Sequence, residues 1–251
     1  MSELRALVFD FDGTIAETER YGHRVAYNEA FAELEMPERW DEGAYGELLA
    51  VAGGRERLIS FFETVRPQLD APAREKLARR VHEVKRRRFD ALGPTLVPRP
   101  GILRLVEEAH ASGIRLAIAT TAAPQGVNAF FAGNARLGAA FDLVAGGDDA
   151  AEKKPAPDIY RFALDRLGMR PTEALAVEDS AIGLRAARAA GVVTLVTPSG
   201  YTEGEDFAGA AAILSDLGEP GRPARCIAGI EPPRGFVDVA YARRLLGAGE
   251  K

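Results

Sequence analysis

The chain has 251 residues, 47% of them hydrophobic and 27% charged, with a formal net charge of −5. That length allows one large α/β domain, or a core carrying a small insert, and the mild acidity gives no general drive toward nucleic acid or an anionic membrane. The one cysteine, Cys226, excludes an intramolecular disulfide and a cysteine-built zinc cluster. It reads as a buried, inert thiol, because no histidine lies near it in sequence. No apolar run is long enough to span a bilayer. The start, Met1-Ser2-Glu3-Leu4-Arg5, runs straight into a strand-like stretch with no room for a leader peptide. The expectation is a cytoplasmic monomer that acts on a small molecule, without nucleic acid or membrane partners.

In chain order, the first predicted element is a strand over residues 4–9. It ends in Asp10-Phe11-Asp12-Gly13-Thr14, where Gly-Thr breaks the strand. Carboxylates at i and i+2 point the same way in an ideal strand, and at its end they crowd one pocket. Such a pair needs a cation, a proton or a bound substrate. A helical region follows, from about residue 16 to 92. Tyr27, Phe31 and Leu34 fall at i, i+4, i+7, as do Leu58, Phe62 and Val65, and Leu77, Val81 and Val84. Each set predicts an amphipathic helix with one buried face. Breaks fall at Met36-Pro37, Gly53-Gly54 and Arg66-Pro67, and the region closes at Gly93-Pro94.

After Pro98-Arg99-Pro100-Gly101 the pattern changes. Helices over 102–111, 158–167 and 181–190 alternate with strands over 116–119, 141–144, 174–177 and 192–196, with another helix between the first two strands and a further strand at 211–214. Alternation of this kind means right-handed crossovers and a parallel sheet. The first strand is cut off from the others by the helical block. The economical architecture is a doubly wound, Rossmann-like α/β core of residues 1–16 and 96–251, interrupted by a small α-helical insert at 17–95. Such sheets bind ligands at the carboxyl ends of their strands.

Four polar clusters follow predicted strands: Asp10 with Asp12, Thr120-Thr121, Lys154 ahead of Pro155-Ala156-Pro157, and Glu178-Asp179-Ser180. Singly, each has a plain structural reading, as a turn, a strand end, a solvated lysine or a helix N-cap. Jointly they supply carboxylates, a hydroxyl with an adjacent backbone N–H, and an ammonium. That set suits a hard cation beside a phosphate, since Mg²⁺ takes oxygen ligands and a phosphoryl group takes cationic and N–H donors.

The ordered set resembles the haloacid-dehalogenase-like superfamily of Mg²⁺-dependent phosphotransferases. Its Asp-x-Asp-Gly-Thr motif stands here as Asp10 to Thr14, its strand-end Thr/Ser as Thr120, its lysine motif as Lys154-Pro155-Ala156-Pro157-Asp158, and its acidic pair as Glu178-Asp179. The resemblance implies that Asp10 is the nucleophile and Asp12 the general acid and base. It implies that Mg²⁺ is held by Asp10, Asp179 and the Asp12 carbonyl, with Glu178 direct or through water. Thr120, the Thr121 N–H and Lys154 would hold the transferring phosphoryl group, and the insert would be the family's small helical cap.

A narrower resemblance, to the CbbY-type phosphatases, rests on four stretches. These are Glu17-Thr18-Glu19 with Gly22-His23-Arg24 and Asn28, the Gly53-Gly54-Arg55-Glu56-Arg57 turn, Lys85, and Ile230-Glu231-Pro232-Pro233 with Phe236. It implies hydrolysis of the 1-phosphate of xylulose-1,5-bisphosphate, an inhibitor of the Calvin-cycle enzyme Rubisco. Glu17, His23, Gly54, Arg55 and Lys85 would contact substrate, with Arg55 and Lys85 on the distal phosphate. By residue type alone, the glycine-arginine turn is also an ordinary helix connection, His23 an ordinary surface histidine, and Lys85-Arg86-Arg87-Arg88 a solvated face with one member turned inward. Trp40 and His82 suggest only packing or solvation. β-Phosphoglucomutase resembles the chain in the same core motifs and cap position. A receiver-like signalling module fits the helical insert and the acid at Asp12 poorly. A silent phosphate-binding protein would not require the paired acids.

Overall fold

Alternate residues of the first strand serve two different cores. In β1 (Ala6–Phe9), Leu7 and Phe9 join one apolar cluster, and Ala6 and Val8 join another on the opposite face. The same split runs through β2 (Arg115–Ala119) and β4 (Ala174–Glu178). Every residue of β1 and β4 is buried, as a parallel strand covered on both faces requires. The computed structural model describes residues 3–51 and 53–248; Met1 and Ser2, expected to lead into the first strand, lie outside them.

β3 (Leu143–Ala145), β5 (Val193–Val196), β6 (Ala212–Leu214) and β7 (Cys226–Gly229) complete a seven-stranded sheet in the order β3-β2-β1-β4-β5-β6-β7. All neighbours are parallel except β7, which runs antiparallel to β6. This is the doubly wound α/β core expected from the alternation.

Between β1 and β2 the chain forms a π-helical turn (Glu19–His23) and then α1 (Arg24–Glu33), α2 (Glu42–Leu48), α3 (Gly54–Val65) and α4 (Ala71–Leu92). These close on an apolar cluster of their own, built from Tyr27, Phe31, Trp40, Tyr45, Leu58, Phe62 and Val81. Val65, assigned to that stripe by spacing, is 44% exposed; it is the last residue of α3, where the buried face runs out. Asp41 and Asp70 begin α2 and α4, and their carboxylates accept the Ala44 and Ala73 N–H groups at 2.8 Å, satisfying donors the helix leaves free.

The chain returns to the core through α5 (Ile102–Ala111). The single helix expected before the third strand is two, α6 (Pro124–Gly133) and α7 (Ala135–Gly138). They break at Asn134, whose side-chain amide donates to Leu96 O and Phe130 O at 2.9 and 3.0 Å. α8 (Asp158–Leu167), α9 (Ala181–Ala189) and α10 (Val239–Ala248) follow. α8 and α9 lie on the face where the strands present Ala6, Ala117, Ala119, Ala174 and Ala176, small side chains that let these helices approach closely. α5, α6 and α10 cover the bulkier face.

β7 was not predicted. It is a short edge strand, partly buried only at Cys226 and exposed over Ile227, Ala228 and Gly229, so it carries no apolar alternation. Cys226 is accordingly half-exposed on that edge rather than buried, because β7 has no neighbour on its outer side. Among the described residues no helix is long and apolar enough to cross a membrane.

Candidate active site

Ladder bonds bring the strand ends level. The Asp10 N–H donates to Val177 O at 2.9 Å, the Thr120 N–H to Ala145 O at 3.0 Å and the Thr197 N–H to Glu178 O at 2.7 Å. Asp10, Thr120 and Glu178 therefore leave the sheet along one edge, the carboxyl end. Asp10, Glu178 and Asp179 offer carboxylate oxygens that all lie within 4.8 Å of one another, and all three residues are buried. Lys154, from the loop between β3 and α8, reaches in with its Nζ 2.7 Å from Asp10 Oδ1 and 2.6 Å from Glu178 Oε1. The buried Tyr160 hydroxyl donates to the same Glu178 oxygen at 2.5 Å. Ser180 stands apart from the cluster and caps α9, accepting the Gly183 N–H at 3.1 Å. The N-cap reading of Glu178-Asp179-Ser180 thus holds for Ser180, while Glu178 and Asp179 lie in the carboxylate cluster.

Three buried acids face one ammonium, and the charges do not balance. Burial, followed by Glu178 and Asp12 and opposed by Lys154, pushes the Asp10 carboxyl up to about 7. Burial and the neighbouring Asp10 and Glu178 push Asp179 well above the carboxylate range. Lys154 is held above its ordinary value, because the attraction of Asp10 and Glu178 outweighs the burial that opposes it. Glu178 Oε2 is buried without a hydrogen-bond partner, which is costly for a carboxylate oxygen. An all-oxygen donor set with surplus negative charge and an orphaned ligand atom fits a hard divalent cation. Glycines make room for the carboxylates themselves. A Cβ on Gly13, whose φ is +85°, would collide with the Asp179 carboxylate, and one on Gly183 with Glu178.

Asp12 does not share this cluster. Its carboxylate turns toward the insert, where Thr18 Oγ1 donates to Oδ1 and His23 Nε2 lies 3.6 Å from the same atom. His23 stacks on Phe89 at 4.0 Å, and its Nδ1 is 2.8 Å from Lys85 Nζ. Burial works against ionising Asp12, but His23, Thr18 and the charge of Lys85 outweigh it and hold the carboxyl below its usual value. Lys85 is the one inward member of its basic run: it is buried, and burial pulls its ammonium down to about 8. Arg87 and Arg88 instead pair with Glu33 at the surface, at 2.8 and 2.9 Å.

The remaining candidates are spread out. Thr120 is buried and its Oγ accepts the Ala122 N–H at 3.0 Å, while Thr121 is exposed at the adjoining turn. Gly54 opens α3, with its carbonyl accepting the Tyr27 hydroxyl at 3.0 Å and its α-carbon backed by His82. Arg55 is exposed and paired with Glu56 and Glu75 at 3.2 and 3.5 Å. Glu17 pairs with Arg99 Nε at 3.3 Å.

Arg99 is a site residue that the sequence does not single out. Its guanidinium donates to the carbonyls of Gly13, Thr197, Pro198 and Ser215, the last three at 2.7, 2.7 and 3.1 Å. It thereby staples the loop after β1 to the loops after β5 and β6, where the chain re-enters the core. An arginine between two prolines gives no pattern that could have signalled this. Tyr160 is equally silent in sequence, since an aromatic on a helix face reads as core.

A protein-family model for haloacid dehalogenase-like hydrolases matches residues 4–191. CbbY of Cereibacter sphaeroides is 46% identical over 224 residues, covering 87% of this chain and 94% of that protein. The plasmid-borne CbbY of Cupriavidus necator is 43% identical over 227 residues, covering 88% of each. A crystal structure of a mutant CbbY from Rhodobacter sphaeroides in complex with xylulose-1,5-bisphosphate superposes with a TM-score of 0.73 at 43% identity, over 87% of this chain and 96% of that one. With motif order, fold and relatives in agreement, the chain belongs to the haloacid dehalogenase-like hydrolases and, within them, to the CbbY type of phosphatase.

Proposed function

We propose that this phosphatase is Mg²⁺-dependent, works through an aspartyl-phosphate on Asp10, and removes the 1-phosphate of xylulose-1,5-bisphosphate. The observation that carries the reading is the seat of Asp10, beside Lys154 and within one buried cluster with Glu178 and Asp179. A divalent cation held by Asp10, Asp179 and the Asp12 carbonyl, with Glu178 beside them, would neutralise the carboxylates and polarise the phosphoryl oxygens. Asp10 Oδ attacks phosphorus and the ester oxygen leaves, taking a proton from Asp12. Asp12 then accepts a proton from the water that cleaves the acyl phosphate; its surroundings favour the ionised form this second half requires. Thr120 Oγ, the Thr121 N–H and Lys154 hold the transferring oxygens.

We assign residues 17–95 as a cap over a core of 1–16 and 96–251, with Glu17, His23, Gly54, Arg55 and Lys85 facing the sugar and its distal phosphate. Arg55 would exchange its exposed glutamate partners for that phosphate. Remote binding energy of this kind closes a lid and excludes water. The substrate assignment is supported by the bisphosphate bound in the 43% identical R. sphaeroides structure.

The test is phosphate release from a panel of sugar mono- and bisphosphates, with Mg²⁺ and with EDTA. Xylulose-1,5-bisphosphate should give the highest kcat/KM and ribulose-1,5-bisphosphate a poor one, a discrimination of ~1–4 kcal/mol from hydrogen bonds at one carbon. Arg55→Ala should lower kcat/KM for the bisphosphate far more than for p-nitrophenyl phosphate. Release that is indifferent to EDTA would remove the metal from the mechanism. Conversion of β-glucose 1-phosphate to glucose 6-phosphate, primed by the 1,6-bisphosphate, would reassign the enzyme as a mutase.

A further inference from the structure

The loop that follows β5 touches both the carboxylate cluster and the insert. At one end, Thr202 Oγ1 donates to the Asp179 carbonyl at 2.8 Å and lies 3.3 Å from Asp179 Oδ2. The same oxygen accepts the Ser199 N–H at 2.8 Å, which folds the loop into a tight turn. One residue earlier, Tyr201 points the other way. Its ring meets that of Tyr45, on α2, nearly edge-on with centroids 5.9 Å apart, and the Arg20 guanidinium lies over it at 5.9 Å. Two ring carbons of Tyr201 sit 3.2 Å from where a Cβ on Gly46 would stand. Apart from proline, glycine is the poorest helix former, and here its missing side chain is what admits a ring from the core. The Tyr201 hydroxyl is buried with no hydrogen-bond partner, so the contact is one of shape and not of polar pairing.

We propose that Tyr201 is a positioning residue through which the docked cap steadies Asp179. Seating the ring against Gly46 and Tyr45 fixes the loop, and the next residue, Thr202, transmits that to the carboxylate. Binding of the sugar's remote phosphate by the cap would then sharpen the metal site as well as cover it, which makes Tyr201 a specificity determinant for substrates long enough to engage the cap. This rests on the phosphatase reading above only for the substrate; the link between cap and metal site stands on the contacts themselves.

Two measurements test it. The first needs no turnover: Mg²⁺ affinity by titration calorimetry. Tyr201→Ala weakens it about three- to tenfold. Gly46→Ala, a change on the cap whose added carbon would meet the Tyr201 ring and no metal ligand, does the same by pushing on the ring, and the double variant loses no more than either single one. Tyr201→Phe, which keeps the ring, restores the affinity. Wild-type affinity in Tyr201→Ala overturns the proposal, whatever the substrate proves to be, and so do additive losses in the double variant. The second measurement is kcat/KM at saturating Mg²⁺. Tyr201→Ala loses at least ten times more on xylulose-1,5-bisphosphate than on p-nitrophenyl phosphate. Equal losses on both reduce Tyr201 to a packing residue and refute the specificity role. If the wild-type enzyme ignores the bisphosphate, the substrate assignment fails, and the calorimetry still decides the coupling.

Discussion

Replacing Asp10 with asparagine should stabilise the metal-free protein while abolishing turnover, and the stabilisation should depend on pH. In the fold without metal, the Asp10 carboxyl is raised from 3.8 to about 7 by burial and by its acidic neighbours. The folded state thus holds this proton more tightly than the unfolded chain does, and stability falls as pH rises between those two values. At ~1.4 kcal/mol per pH unit, the ionised carboxylate costs the fold about 4 kcal/mol at pH 8. The asparagine amide removes that cost, but deprives Lys154 of one partner at 2.7 Å and leaves it Glu178 at 2.6 Å. The raised value already nets the pull of Lys154 against burial, so most of the gain should survive, and for a chain of this size each kcal/mol is worth roughly 2–4 °C in Tm. The assay is thermal unfolding in EDTA at pH 5 and pH 8. The gap should be small at pH 5, only about one unit above the unfolded carboxyl's value, and should widen at pH 8, above the folded one. Saturating Mg²⁺ should close the gap, because only the wild type regains a full ligand set. An Asp10→Asn variant that melts below wild type at pH 8, or a gap equal at both pH values, would refute the electrostatic account of the cluster.

Other consequences follow from the same geometry. Lys154→Ala leaves Asp10, Glu178 and Asp179 without a cation; it should destabilise the metal-free protein by ~3–5 kcal/mol at pH 8, with Mg²⁺ restoring much of it, and an unchanged Tm would contradict the charge count. Gly13→Ala forces a side chain onto a residue at φ +85° and into the Asp179 carboxylate; calorimetry should show weakened Mg²⁺ binding with the far-ultraviolet circular dichroism intact, and wild-type affinity would show that the loop has slack. Arg99→Gln surrenders a guanidinium that serves four backbone carbonyls; at ~1 kcal/mol for each bond not replaced, the urea midpoint should fall by the equivalent of about 2–4 kcal/mol, and a midpoint equal to wild type would deny the staple its role.

Much of this molecule could be read from residue order alone. The alternation of apolar strands with ten-residue helices demanded a parallel sheet, since no other arrangement buries both faces of such strands. The carboxylates, threonines and lysine had to lie near one edge once each followed a strand, because parallel strands all end on the same side. The family was legible for the same reason, as its motifs are short and ordered.

The chain order could not decide what depends on distance between remote segments. It placed Asp10 and Asp12 in one pocket; the fold gave Asp10 to Lys154 and the acidic cluster, and Asp12 to Thr18 and His23. Lys85 and Arg55 carry the same charge in sequence, yet packing against Tyr27 and Phe89 buries one and leaves the other paired at the surface. β7 and the half-exposed Cys226 were invisible because an edge strand has no alternation to declare it. Arg99 and Tyr201 were unreadable for a deeper reason. Their partners are a backbone carbonyl, a missing Cβ and the face of a distant ring, which exist only once the chain has closed on itself.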